Sequence, residues 1–439
     1  MLQYSKILWT LVNNSLEMII GMGTIILVTR VYSPVEVGAW TVFTTVFFLV
    51  TKLREGVIQT ALIKFLSGQE KDKYYSVLKA SFFTNITIET VLSSLVFLIG
   101  YLDYFKELSL LFLFYPLYSM PWAIYRWQLF VHQSKLRVEV IFKINVAILV
   151  VLLVGFSMLL FWKWQITDMI VILGFGAMSG SIVGLKVINP KLILIAKTTP
   201  ELYKDMLSYG KFGMLRELTG TLSTRINVFL TAGFLTLSQT GLLGIAQRFT
   251  QLILIPNAAI QTLVFPKACE LSSRDRKDEL KVLYESSVAM LLAMFLPLVV
   301  LMVISAHSLI LMFNGKDYLD AAPLLVIMII TVALYSPFGN AFGSVINAIG
   351  KPEMNMKVVV VNSIINICLS FSLVLTVGLY GAVLAPFITE TFGFIWISKI
   401  LKRELGISFE RCFRQIPNSY ATLFSAIKKK LRQQGVESI

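Results

Sequence analysis

Charged residues are scarce in this chain: they make up 15% of its 439 residues, against 56% hydrophobic, a balance foreign to soluble domains. No long polar stretch interrupts the apolar runs before residue 402, which excludes soluble domains joined by polar linkers. The three cysteines (Cys269, Cys368, Cys412) and two histidines (His132, His307) are too few and too widely spaced for a disulfide framework or a metal site. Phosphate-cradling glycine-rich loops are missing too, and the longest loop on the less basic face runs only from about Ala306 to Asp320. That argues against a membrane enzyme, which needs a constellation of catalytic groups to work with. The first 30 residues lack a small-residue cleavage site, and their apolar run is too long for a signal-peptide core, so they are expected to form a permanent helix.

What the chain has in abundance is hydrophobic length, with a mean hydropathy of +0.76. An apolar helix of about 20 residues crosses a hydrocarbon core, and backbone groups in lipid must bond within their own segment. The reading is all-α and polytopic, with about twelve transmembrane helices. They are expected near 7–30, 37–64, 77–100, 108–131, 141–162 and 168–188, then 211–235, 241–266, 282–306, 321–349, 357–377 and 380–401. This divides the chain into a six-helix lobe over 1–195, a second over 196–402, and a basic tail over 403–439. Tyr420 to Leu431 in that tail could form an amphipathic helix on the membrane or a solvated extension.

Of the 39 basic residues, only Arg30, Lys106, Lys163 and Lys316 fall on the face opposite the termini, while most of the rest crowd the terminal side. The positive-inside rule therefore places both termini in the cytoplasm. Much of the net charge of +14 is topogenic and attracted to anionic lipid, so nucleic acid is not an expected partner. A weak repeat relates the two sets of helices: Ser33 to Gly38 resembles Gln239 to Gly244, and Val57 to Thr60 resembles Ala259 to Thr262. These matches do not share one offset, so a helical turn is expected as an insertion in the first copy.

Ionisable groups at membrane depth are costly and by default functional. The expected substrate-binding cations are Arg54, Arg225, Arg248 and Lys52, with the three arginines lining a shared aqueous cavity. Glu17, Glu55, Glu89, Glu217 and Glu390 are the candidates for ion coupling or for ion pairs within the bundle. Lys52, Arg126 and Arg216 lie near enough to the cytoplasmic face to snorkel to lipid phosphates instead. Pro116, Pro121, Pro256, Pro297, Pro337 and Pro386 fall within expected spans, where each permits a bend. Asn13, Asn14, Asn145, Asn340, Asn347, Asn362 and Asn366 serve either as inter-helix hydrogen bonds or as cavity lining.

Gly350-Lys351-Pro352 in a short turn, the pair Asn362 and Asn366, and Gly378-Leu-Tyr-Gly381-Ala closing the next turn follow one another in the order of a known family. Upstream, Tyr32-Ser-Pro34 with Gly38, and Glu55-Gly56 leading to Ala61-Leu-Ile, fit its first two helices. Over about residues 5–400 the chain resembles the polysaccharide transport proteins, Wzx-type flippases of the MATE-like exporter superfamily. The resemblance implies two lobes around a central cavity that opens alternately inward and outward in the bacterial inner membrane. Its substrate would be an undecaprenyl-pyrophosphate-linked oligosaccharide, such as an O-antigen unit, met by basic cavity residues. No cofactor is implied beyond a proton or sodium gradient. Partners would be membrane lipids and a polysaccharide polymerase, with a monomeric chain. The alternative is a MATE-like multidrug or cation antiporter, which Glu17, Glu55 and Glu390 keep open. A major-facilitator carrier fits poorly, because Ser67 to Asp72 stands where that family has a glycine- and arginine-rich loop.

Overall fold

The computed structural model describes residues 4–66, 71–103, 106–135, 137–161, 165–407 and 409–421. Among them there is no strand. The helices are α1 (Tyr4–Val31), α2 (Pro34–Leu66), α3 (Lys71–Tyr101), α4 (Lys106–Leu113), α5 (Tyr115–Ser134), α6 (Val138–Phe161), α7 (Ile166–Ile188) and α8 (Pro190–Ile195). They continue as α9 (Pro200–Phe234), α10 (Leu237–Thr250), α11 (Ile255–Ser273), α12 (Lys277–Phe313), α13 (Ala321–Ala348), α14 (Pro352–Val377), α15 (Gly381–Leu405) and α16 (Phe409–Arg414). Every expected span falls on helix, and the chain is a multi-pass membrane protein. Seven described helices are long and apolar enough to cross a membrane by themselves, or eight with the bent pair α4 and α5. Two spans are broken rather than continuous. The fourth bends by 47° between α4 and α5, and the eighth passes through a 3-10 turn at Gln251–Leu254. Pro116 and Pro256 open the helices that follow these breaks, where a missing N–H costs nothing. Pro121, Pro297, Pro337 and Pro386 lie inside helices.

Local sequence explains the helix starts. Ser33 Oγ and N both donate to Glu36 Oε2 while Glu36 N donates back to Ser33 Oγ, a reciprocal cap that starts α2 at Pro34. The start of α10 repeats the device: Thr236 N donates to Gln239 Oε1, and Gln239 N to Thr236 Oγ1. These caps correct the register of the repeat. Ser33, Glu36 and Gly38 correspond to Thr236, Gln239 and Gly241, so the match of Ser33 to Gln239 is almost a turn out and no inserted turn is required. Gly350, at φ +78°, ends α13 in the left-handed region, and Pro352 opens α14 directly after it.

The chain forms two compact units. Unit 1 comprises Met1–Ala232 with Thr236–Gly241, and unit 2 comprises Gly233–Leu235 with Leu242–Ile439. Helix α9 thus packs with unit 1, where its Gly210 and Gly213 sit against the backbone of Val57 and Gly56 on α2. On α7, Gly176, Gly180 and Gly184 recur every fourth residue and let Leu152, Ile148 and Gln128 approach, the small-residue packing that substitutes for hydrophobic drive in lipid. One end of unit 1 is held by Val57, Leu62, Leu78, Trp127, Phe130 and Ile193. In unit 2, α16 inserts Cys412 into a cluster with Tyr284, Phe338, Phe342 and Leu401. Residues 422–439, which include most of the expected amphipathic tail, lie outside the described residues.

Candidate functional site

Unit 1 carries a compact charge centre. Lys52, Arg54 and Glu55 follow one another on α2, so a helical step of 100° sends them in different directions. Arg54 turns inward and donates from Nη1 to Glu89 Oε2 on α3, with both side chains only 1% exposed. Glu89 lies one turn before Ser93, whose hydroxyl donates to Glu89 Oε1 at 2.8 Å and meets Ser119 Oγ of α5 at 2.7 Å. A carboxylate removed from water needs its lone pairs filled, and Arg54 and Ser93 fill both oxygens.

Glu55 turns the other way and bridges two cations. Lys52 Nζ reaches its Oε2 at 2.9 Å, and Arg126 Nε of α5 donates to Oε1. The carboxylate is buried, whereas Lys52 keeps 36% of its side chain exposed and Arg126 keeps 19%. The Arg126 guanidinium also rests on the Phe130 ring, 5.3 Å from its centroid. Three basic and two acidic groups leave this centre one positive charge, and it emerges at Lys52 and Arg126.

Arg225 of α9 extends that surface. Its guanidinium stands over Phe48, 5.1 Å from the ring centroid, and Phe48 is one turn before Lys52 on the same half-exposed stripe of α2. On the buried side of α2 is an aromatic wall in which Phe47 stacks on Tyr118 at 4.3 Å and meets Trp122 at 5.6 Å. Arg225 thus meets α2 one turn from Lys52, Arg126 is joined to Lys52 through Glu55, and all belong to unit 1.

The other expected site residues are placed differently. Arg54 has almost no surface to present to an aqueous cavity. Arg248 is half-buried on α10 in unit 2, and Glu217 is half-buried on α9 in unit 1. Glu390 is exposed on α15. Glu17 belongs to α1, but its side chain lies outside the described residues, as does that of Arg216. Arg126, which depth alone assigns to snorkelling, is instead tied to Glu55. Ser93 and Ser119 were not among the expected residues, although the i, i+4 spacing of Glu89 and Ser93 is a readable hint. Of the asparagines, Asn13 and Asn145 bond each other at 3.3 Å, with Tyr125 donating to Asn145 Oδ1 at 2.9 Å, which is a structural bridge between helices. Asn362 and Asn366 lie one turn apart on α14, and the Asn362 amide fills the space beside Gly393 of α15.

Comparison with known proteins gives this architecture a family. A family model described as polysaccharide biosynthesis protein matches residues 27–323. The chain belongs to the polysaccharide biosynthesis protein family. That match runs through the whole charge centre of unit 1. A probable low-salt glycan biosynthesis flippase of Haloferax volcanii is 20% identical over 207 residues, 47% of this chain and 44% of the relative. A membrane protein of Methanocaldococcus jannaschii is 28% identical over 145 residues, 32% of this chain and 27% of the relative. The chain thus matches less than half the length of each of these curated relatives. Among solved structures, the lipid II flippase MurJ in an inward closed conformation superposes with a TM-score of 0.69 at 17% identity, over 96% of this chain and 93% of MurJ. An inward-facing multidrug resistance MATE family transporter of the MOP superfamily gives 0.69 at 15% identity, over 89% and 98%. The chain has the MurJ- and MATE-like polytopic fold.

Proposed function

We propose that this chain is a flippase that carries an undecaprenyl-pyrophosphate-linked oligosaccharide, such as the repeat unit of an O-antigen or similar surface polysaccharide, across the inner membrane by alternating access. The observation that carries this reading is the placement of Arg225 and Lys52 along one half-exposed stripe of α2, with Arg126 joined to Lys52 through Glu55. A pyrophosphate needs several donors at once, and guanidinium groups meet phosphate oxygens with two parallel hydrogen bonds. The aromatic ring of Phe48 beside Arg225 offers a face of the kind sugars and guanidinium planes both pack on. Glu55 prevents Lys52 and Arg126 from repelling each other while the site is empty. The glycan flippase of Haloferax volcanii and the MurJ fold support the substrate class. In this reading both termini are cytoplasmic, a polysaccharide polymerase consumes the flipped unit, and a proton or sodium gradient drives the cycle.

The test is delivery of lipid-linked oligosaccharide to the outer face of the membrane in cells carrying K52Q, R126Q or R225Q at wild-type abundance. Accumulation of precursor on the inner side is the expected result. A cation antiporter is kept as a second reading by the acidic residue Glu390 within α15 and by the MATE neighbour. Drug sensitivity of an E390Q strain with normal surface polysaccharide would favour it.

A further inference from the structure

A second basic site lies apart from the charge centre, at the end of unit 1 where α3 begins and α7 ends. Tyr74 and Tyr75 of α3, Lys135 and Arg137 of the α5–α6 turn, Val187 and Ile188 of α7, and Leu192 of α8 line a cavity of about 490 Å³. The turn is fixed by its backbone, because the N–H groups of Lys135 and Arg137 both donate to the His132 carbonyl. Lys135 Nζ stands 4.6 Å from the centroid of the Tyr74 ring, and Tyr74 and Tyr75 pack edge to face at 5.2 Å. Among the described residues no acidic side chain lines the cavity.

The opposite wall is apolar, and its geometry is held firmly. Asn189 takes a left-handed conformation (φ 55°) and Pro190 opens α8, so the chain turns off the end of α7. Lys79 Nζ then donates to the carbonyls of Leu194 and Ala196 at 2.8 and 2.9 Å, tying α8 back to α3. Ile193 is buried in the core, while Leu194 is 59% and Ile195 74% exposed on the same short helix that lines the cavity with Leu192. Exposed leucine and isoleucine at the end of a membrane bundle mark contact with lipid rather than water.

We infer that this cavity binds the phosphate of an anionic phospholipid, with the head group on Lys135, Arg137 and the tyrosine hydroxyls, and the acyl chains leaving along Val187, Leu192 and Leu194. The size of the cavity suits a head group, and the apolar wall has no use to a free phosphate ion. The inference is independent of the transport site, since no residue is shared between the two.

Purified protein in detergent is titrated with phosphatidylglycerol, phosphatidylcholine or inorganic phosphate, reading bound lipid by native mass spectrometry and unfolding temperature in parallel. Phosphatidylglycerol should bind and stabilise more than phosphatidylcholine. The K135Q/R137Q variant should lose on the order of 30-fold in phosphatidylglycerol affinity, from about fivefold per basic residue at an anionic membrane surface. K135R/R137K should retain it, and R137Q alone gives an intermediate loss should the double variant fold poorly. Equal binding of both lipids, or unchanged binding in the variants, overturns the inference. Competition and equal stabilisation by inorganic phosphate alone would replace the lipid with a soluble phosphate ligand.

Discussion

Arg54 on α2 and Glu89 on α3 hold each other in the interior of unit 1, each 1% exposed, with Ser93 occupying the second oxygen of the carboxylate. Deleting one partner of such a pair leaves a buried charge uncompensated and costs about 3–5 kcal/mol, whereas replacing both with apolar groups is often nearly neutral. E89Q should therefore lower the unfolding temperature of the purified protein sharply, and R54M/E89L should recover most of the loss. An E89Q protein as stable as the parent would show that the pair does not hold α2 to α3.

Gly38 is the tightest point of the repeat. A methyl group added there would lie 1.7 Å from the carbonyl oxygen of Leu237, and backbone cannot yield as a flexible side chain does. G38A should destabilise by about 1–3 kcal/mol, the cost of overpacking. On α1, Gly23 has nothing within 4 Å of the same position, so G23A is the matched control and should be neutral or mildly stabilising through helix propensity. Equal unfolding temperatures for the two variants would argue against the close approach of Gly38 to the Leu237 backbone.

The positions of the spans were legible because lipid forces backbone bonding into each segment, so hydropathy alone marks the helices. Register and partnership were not. The repeat was misaligned because Gly38 and Gly244 look alike in sequence, while the caps Ser33–Glu36 and Thr236–Gln239 are visible only once their hydrogen bonds are. The charges at depth were readable as a set, yet which of Arg54, Lys52 and Arg126 is buried depends on the rotation of α2. Each residue along a helix turns a side chain by about 100°, so the two steps from Lys52 to Arg54 separate the half-exposed Lys52 from the sealed Arg54. Depth alone lets Arg126 snorkel, and nothing local in the sequence names its partner, because Glu55 lies 71 residues earlier on another helix.

Cys412 is fully buried against unit 2, and burial raises its thiol to about 12. Thiolate is the reactive form, so Cys412 should resist a charged maleimide at neutral pH and become reactive only as pH approaches that value or α16 detaches. Cys269 is half-buried and provides the internal comparison. Rapid labelling of Cys412 at neutral pH would mean that α16 does not stay docked.

The orientation rests on the sparse basic residues of one face, Arg30, Lys106, Lys163 and Lys316. A compartment reporter placed after Ile439 should read cytoplasmic, and one inserted between Asp317 and Asp320 should read the opposite side. Agreement between the two reporters would overturn the topology.

Arg225 provides the sharpest test of transport. Its contact with Phe48 places it one turn of α2 from Lys52, and hydrogen bonds to charged groups are worth about 1.5–3 kcal/mol, on the order of tenfold or more in a binding constant. R225Q should cut delivery of lipid-linked oligosaccharide by at least that factor. R225K keeps the charge but loses the two-pronged geometry and the flat face against Phe48, so its activity should fall between the parent and R225Q. Membrane abundance separates mechanism from folding: a purely structural Arg225 would lower the amount of protein in both variants and leave activity per molecule unchanged. Normal surface polysaccharide from R225Q at wild-type abundance would remove Arg225 from the mechanism. In that case Lys52 and Arg126, bridged by Glu55, would have to carry the phosphate alone, and K52Q/R126Q should then abolish delivery completely.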